Sequence, residues 1–239
     1  MNIKDYYQLN GSKLSFTRSQ ASDFAKKEAH DFNPIHDADS KRFCVPGDLL
    51  FSVIIYHYGL HQNMKFTFSG MVGDNVKLIL PDCDEQHDML ILDENDRQYL
   101  TVECSGDTSH NRKLIDSLAT DYVEFSSQAF PTILVPLMSE QDVMINPERP
   151  LIVYESMSFE LDRLDIDDIE LKLSSKTLEV EGKRGNVALE YELFSDGSQV
   201  GHGCKRMVLS GLRPFEKDKM DRLVAGFLQR KQEFEHLHA

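Results

Sequence analysis

The sequence predicts an α+β chain that uses one plan twice: a buried helix followed by antiparallel strands. Three observations carry this. Leu49, Leu50, Phe51, Val53, Ile54, Ile55 and Tyr56 make one segment apolar nearly all round, and a helix of that kind is buried on most sides. Phe66 and Phe68 alternate with Lys65 and Thr67, and Val76, Leu78 and Leu80 alternate likewise, which is the period of half-buried strands. Residues Phe159 to Leu173 then lie over Phe66 to Leu80 without a gap. Phe66 meets Phe159, Phe68 meets Leu161, Asp74 meets Asp167, Val76 meets Ile169 and Leu78 meets Leu171. A helix layer on an antiparallel sheet is the α+β arrangement.

The elements follow in order. Thr17-Arg18-Ser19-Gln20 reads as a capping box, with Thr17 as N-cap. Ala21, Phe24, Ala25 and Ala29 recur at helical spacing behind it. Pro46-Gly47-Asp48 opens the apolar helix, Leu49 to Tyr58, and Gly59 ends it. Strands are expected around Phe66–Phe68, Val76–Leu80, Met89–Leu92 and Tyr99–Cys104, with a turn at Asp93-Glu94-Asn95-Asp96. Asp107-Thr108-Ser109-His110-Asn111 reads as a loop and divides the chain into units 1–110 and 111–239. Beyond it, Phe130–Val135 matches Val45–Leu50, followed by a loop containing Asn146–Pro150. Strands at Val187–Phe194, Val200 and Met207–Leu209 flank a turn at Asp196-Gly197. A last helix from about Phe215 places Met220, Leu223, Phe227 and Leu228 on one face.

Composition bounds the function. The 239 residues, 41% hydrophobic and 28% charged, are enough for one large domain or two smaller ones. The net charge of −14 argues against a nucleic-acid partner, which requires concentrated Lys and Arg. No apolar run is long enough to span a bilayer, and the first residues show no signal core, so a cytoplasmic protein is expected. Lys26, Lys27, Lys41 and Arg42 read as solvated surface. Cys44, Cys83, Cys104 and Cys204 are scattered, without zinc-site spacing, and read as reduced thiols, with Cys44 packed and inert. His57 and His61 read as polar helix-end residues, and Asp165, Asp167 and Asp168 as a loop run of carboxylates. No metal is expected.

The stretch that carries chemistry is Asp31-Phe32-Asn33-Pro34-Ile35-His36. Asn and Pro favour a stiff turn, and this one holds an acid and a base a few residues apart, an arrangement suited to activating one water. When Phe130–Val135 is laid on Val45–Leu50, Asp31 meets Asp116, but His36 meets Asp121, and Asn33 and Pro34 meet Leu118 and Ala119. The second half lacks the turn and the base, so one site per chain is expected, with the second half structural.

Together with Val45-Pro46-Gly47-Asp48-Leu49-Leu50, Met64–Phe68 and Val72-Gly73-Asp74-Asn75-Val76, this turn resembles the MaoC-like hydratases, the (R)-specific enoyl-CoA hydratases (hydratase 2) of the hotdog superfamily. The resemblance covers roughly residues 14 to 104. It implies a double hotdog, in which two curled antiparallel sheets each wrap a central helix, as a monomer or homodimer. It implies Asp31 and His36 as the pair that adds water across the double bond of a 2-enoyl thioester. Asn33 would brace the turn, and the Gly47 N–H would polarise the thioester carbonyl at a helix N-terminus. An acyl-CoA would be substrate, and no cofactor is implied. The chain departs from the family after His36. Asp37-Ala38-Asp39 follows it, ten residues separate it from Gly47, and Pro46-Gly47 stands where the family has His-Gly. That shortened loop keeps two alternatives open: a non-catalytic acyl-thioester or lipid-binding hotdog protein, and a hotdog thioesterase.

Overall fold

The structure, a computed structural model, describes residues 1–82 and 88–238; Cys83 lies outside them. A 3-10 turn at Ile3–Tyr6 leads into β1 (Gln8–Asn10), β2 (Lys13–Ser15) and α1 (Arg18–Lys27). The capping box is formed: Thr17 Oγ1 accepts from the Gln20 N–H and Gln20 Oε1 accepts from the Thr17 N–H, both at 3.1 Å. A 3-10 turn at Pro34–His36 precedes α2 (Gly47–Tyr58). Every residue from Leu49 to Ile55 is buried. Ser52 is the one hydroxyl among them, and it donates to the Asp48 carbonyl at 2.8 Å, so the helix enters the core with its polar side chain satisfied. Gly59 ends α2 at φ +91°, in the left-handed range that suits glycine.

Then come β3 (Leu60–Phe68), β4 (Leu78–Ile79), β5 (Met89–Asp93) and β6 (Gln98–Ser109), α3 (Arg112–Ser127), α4 (Ala129–Thr132), α5 (Leu134–Glu140), β7 (Val143–Met144), β8 (Ile152–Leu161), β9 (Glu170–Glu181), β10 (Arg184–Ser195), β11 (Ser198–Ser210), β12 (Arg213–Pro214) and α6 (Lys217–His238). The expected linker after Asp107 is shorter than the sequence suggested. β6 runs on to Ser109, and Asn111 caps α3 by accepting from the Lys113 N–H at 3.1 Å.

The fold is the α+β double hotdog. Its two sheets join edge to edge into one, in the order β1-β2-β4-β5-β6-β3-β8-β11-β10-β9. Outward from the β3–β8 seam, the order β3-β6-β5-β4 on one side repeats as β8-β11-β10-β9 on the other. At the centre of the seam Lys65 pairs with Ser158, while Met64 pairs with Phe159 and Phe66 with Met157. Lys65 and Ser158 are counterparts in the alignment of Phe66 with Phe159, so the seam register agrees with the repeat read from sequence.

The helix repeat differs from that reading. The second-half helix that faces α2 is α3, with the Phe51 and Tyr122 rings 4.9 Å apart, and both helices share one core with the sheet. Phe130–Val135 instead contributes to α4 and α5, which close a second cluster over Leu178, Val187, Leu189, Met207 and Leu209. The reason is length. β9 and β10 have 12 residues each, against 2 and 5 in their counterparts β4 and β5, and the longer strands need a second cover. Asp116 and Asp121 consequently both lie in α3, where Asp121 accepts from the Leu171 N–H at 3.0 Å. On α6, Met220 is buried and Leu223 and Phe227 pack inward, whereas Leu228 is 43% exposed, one step round the helix. Among the described residues no helix is long and apolar enough to cross a membrane.

Candidate functional site

The end of α1 creates the turn. His30 adopts φ +48°, which reverses the chain, and the Asp31 N–H donates back to the Ala25 carbonyl at 2.7 Å. Two side-chain bonds then fix the next residues. Asp31 Oδ1 accepts from the Asn33 N–H at 2.8 Å, and Asn33 Oδ1 accepts from the Ile35 N–H at 3.2 Å. These are Asx turns, the local bonding for which Asp and Asn are favoured. Phe32 anchors the turn beneath, 6.1 Å from the Phe227 ring and 5.6 Å from that of Phe234.

His36 is held at one ring nitrogen and faces Asp31 with the other. Its Nδ1 lies 2.7 Å from the Cys44 carbonyl oxygen. A carbonyl only accepts, so Nδ1 carries the proton and Nε2 is the basic nitrogen of the neutral ring. Nε2 faces Asp31 Oδ2 at 3.5 Å, with the His36 side chain 13% and the Asp31 side chain 32% exposed. The short loop after His36 is firmly tied. Arg18 donates to the Ala38 and Ser40 carbonyls at 3.0 and 2.9 Å and to Asp74 at 2.9 Å. Asp37 pairs with Lys26 at 2.7 Å and with Arg230 of α6.

Gly47 begins α2 opposite this pair. Its Cβ, if present, would lie 2.7 Å from Tyr154 Cδ1, so the Tyr154 ring occupies the space that a side chain needs. Among the described residues the Gly47 and Asp48 N–H groups donate to no protein acceptor, as the first turn of a helix leaves them free to do. Asp31, Asn33, His36 and Gly47 all line one cavity of about 710 Å³, a size that holds a small-molecule ligand. Its further wall comes from Leu223, Gly226 and Phe227 of α6.

Sequence reasoning did not single out four polar residues of this cavity: Asp48, Ser126, Tyr154 and Lys205. Lys205 Nζ donates to Ser126 Oγ, and Ser126 Oγ donates to Asp48 Oδ2. Lys205 Nζ lies 3.8 Å from Asp48 Oδ1, with side chains only 5% and 13% exposed, and 4.1 Å from the Tyr154 ring centre. The Tyr154 hydroxyl bonds that of Tyr122. Burial pushes the Asp48 carboxyl up and the Lys205 ammonium down, each opposed by the charge of the other. The cluster joins α2 of the first half to α3, β8 and β11 of the second, so the second half contributes to the site rather than only bracing it. One signal marked Lys205: it shares an inward parity of β11 with Gly203, Met207 and Leu209, all buried. A lysine on the core face of a strand calls for an explanation.

The other reactive types the sequence offers are a raised thiol and paired carboxylates. Burial pushes the Cys44 thiol up to about 11, in line with a packed residue. Asp165 pairs with Arg163 at 2.7 Å, Asp167 with Lys113 at 3.0 Å, and Asp168 accepts from Ser195 at 3.1 Å. Among the described residues no group of three His, Cys, Asp or Glu gathers as metal ligands do.

A family model described as "Protein of unknown function (DUF3581)" matches residues 1–218. The chain belongs to the DUF3581 family. The match takes in both halves of the sheet, the turn and the cavity cluster, and stops as α6 begins. No curated protein matches the DUF3581 chain in sequence. Among solved structures it is similar to a conserved protein of unknown function with a hotdog fold from Alicyclobacillus acidocaldarius, with 7% identity, 90% of this chain and 99% of that one covered, and a TM-score of 0.46. It is also similar to an acyl-CoA thioesterase II, TesB2, from Mycobacterium marinum, with 9% identity, 90% and 98% covered, and a TM-score of 0.43. A MaoC-like dehydratase aligns at 10% identity, with 86% and 98% covered and a TM-score of 0.37. These scores lie below 0.5, so the fold of the DUF3581 chain is assigned on its own strand order and helix packing.

Chemically, the DUF3581 cavity is lined both by a base with one free ring nitrogen beside a carboxylate and by a helix N-terminus with free N–H donors. That set handles a proton on one side and a developing negative oxygen on the other.

Proposed function

We propose that this protein hydrates 2-enoyl thioesters of the CoA type, and dehydrates the corresponding 3-hydroxyacyl thioesters, through water activated by Asp31 and His36. The observation that carries the reading is the 3.5 Å approach of His36 Nε2 to Asp31 Oδ2 in the cavity that also reaches the start of α2. One water seated beside those two atoms would donate to both. Its oxygen bonds C3, the alkene electron pair moves through C2 to the thioester oxygen, and a proton returns from the pair to C2. Nothing is oxidised or reduced. The thioester oxygen gains negative charge as this proceeds, and the Gly47 N–H with the positive end of the α2 dipole is suited to receive it. The cavity's apolar walls, among them Phe68, Leu223 and Phe227, suit the acyl chain.

A second reading, thioester hydrolysis, is favoured by one observation. Asp48 places a carboxylate directly beside Gly47, and hydrolysis requires a base that faces the carbonyl carbon rather than C3. One assay separates the two. Purified protein is given short- and medium-chain trans-2-enoyl-CoA while enoyl absorbance and free thiol are followed together. Hydration removes the absorbance without releasing thiol. Thiol release from saturated acyl-CoA as well as enoyl-CoA supports hydrolysis and overturns the hydratase reading.

A further inference from the structure

The Lys205 ammonium is unusual in where it sits and in what it leaves unused. It projects from the core face of β11 into the cavity wall. Among the described residues its one hydrogen bond goes to Ser126 Oγ. The Asp48 carboxylate, at 3.8 Å, is beyond hydrogen-bond length. Among the described residues two of its three N–H bonds therefore have no oxygen within hydrogen-bond length, although one side of the group rests on the Tyr154 ring. Fold stability does not account for it, since a buried ion pair is commonly replaced by apolar side chains without loss. What adjoins it is the start of α2. Asp48 is the second residue of that helix, and the Tyr154 ring lies against both Lys205 and Gly47. Gly47, Asp48 and Lys205, whose N–H groups are unused, thus all line the one cavity, with the Tyr154 ring as a common neighbour of Gly47 and Lys205. Donors from three residues, left without acceptors, call for one ligand atom that accepts several hydrogen bonds and bears negative charge.

We infer that Lys205 is a catalytic electrophile, its ammonium joining the Gly47 N–H in receiving the thioester carbonyl oxygen as that oxygen becomes an enolate. The inference rests on the proposed acyl-thioester site. Water oxygen bonds C3 as one of its protons passes to the Asp31–His36 pair, the alkene pair shifts to the thioester oxygen, that charge returns through C2 as the pair delivers the proton there, and Lys205 keeps its own proton throughout, stabilising the oxygen by a charge-assisted hydrogen bond. Asp48 and Ser126 hold the ammonium in place. Hydrolysis would draw on the same polarised carbonyl, so the role of Lys205 survives a change of reaction.

The test uses the full chain and the double variant Asp48→Asn/Lys205→Met, which removes both charges together and leaves neither one buried alone. Hydration is measured as kcat on enoyl-CoA. In parallel, the infrared carbonyl band of saturated hexanoyl-CoA, ¹³C-labelled at the carbonyl, is recorded free and bound. The wild-type protein should move the band to lower frequency. The double variant should fold, lose that shift, and lose kcat by roughly 10²- to 10³-fold, the effect of one oxyanion donor. A band that wild-type protein leaves unmoved overturns the inference without any variant, as does a double variant that keeps wild-type shift and kcat while hydration itself is confirmed. A wild-type shift that the variant abolishes, in a protein that does not hydrate, supports Lys205 and removes the hydratase reading alone.

Discussion

His36 and Cys44 are joined ring to backbone. His36 Nδ1 lies 2.7 Å from the Cys44 carbonyl, and the Cys44 N–H donates to the Ile35 carbonyl at 3.0 Å. The short loop between His36 and α2 therefore doubles back and sets the tautomer of the ring. Long-range ¹⁵N–¹H spectra should show the neutral His36 ring protonated at Nδ1 and bare at Nε2. A ring protonated at Nε2 would leave Asp31 facing no base.

Burial keeps the thiol of Cys44 in its unreactive protonated form. With burial holding it near 11, alkylation by iodoacetamide at neutral pH should run on the order of a hundredfold slower than that of free cysteine, since only the thiolate reacts. Peptide mass spectrometry of the folded protein reads this directly, and labelling of Cys44 at the rate of free cysteine would refute the burial argument.

Gly47 is required by a neighbour and not by its own backbone angle. Gly47→Ala sets a Cβ against the Tyr154 ring at 2.7 Å, which must displace the ring on which Lys205 rests. Overpacking of this kind costs about 1–3 kcal/mol, and urea unfolding should show it. Activity should fall further than stability explains, because the donors at the helix start move with the ring.

Asp37 ties α6 to the turn. Burial pushes its carboxyl up, but hydrogen bonds from Lys26 and Arg230 outweigh this and hold it below the usual carboxylate range. A depressed folded value means stabilisation that is present above the unfolded carboxylate pKa of about 3.9 and is lost as pH falls through the lower folded value. Asp37→Asn should lower stability at neutral pH by about 1 kcal/mol. The gap from wild type, followed as thermal midpoint against pH, should close in acid. A gap independent of pH would contradict the ion-pair account.

Much of the fold was legible because local chemistry and tertiary packing agree. Thr17 and Gln20 announce α1, and the unbroken apolar run after Asp48 announces α2. The match of Phe66 with Phe159 carries the sheet register at the seam. The helix repeat was not legible, since the extra length of β9 and β10 calls for cover from α4 and α5, and pattern matching took that cover for the central helix. Of the site, the turn from Asp31 to His36 stands out because its residues are neighbours in sequence. Asp48, Ser126 and Lys205 are brought together only by the sheet seam, and no local spacing marks them. The parity of Lys205 in its strand was the single available sign.

The most direct test of the central claim is the hydration rate of a trans-2-enoyl-CoA with wild-type protein, Asp31→Asn and His36→Ala. The account predicts clear wild-type turnover and a fall of roughly 10²- to 10⁴-fold in each variant, with folding unchanged. Equal rates in all three proteins, near zero or not, would contradict it.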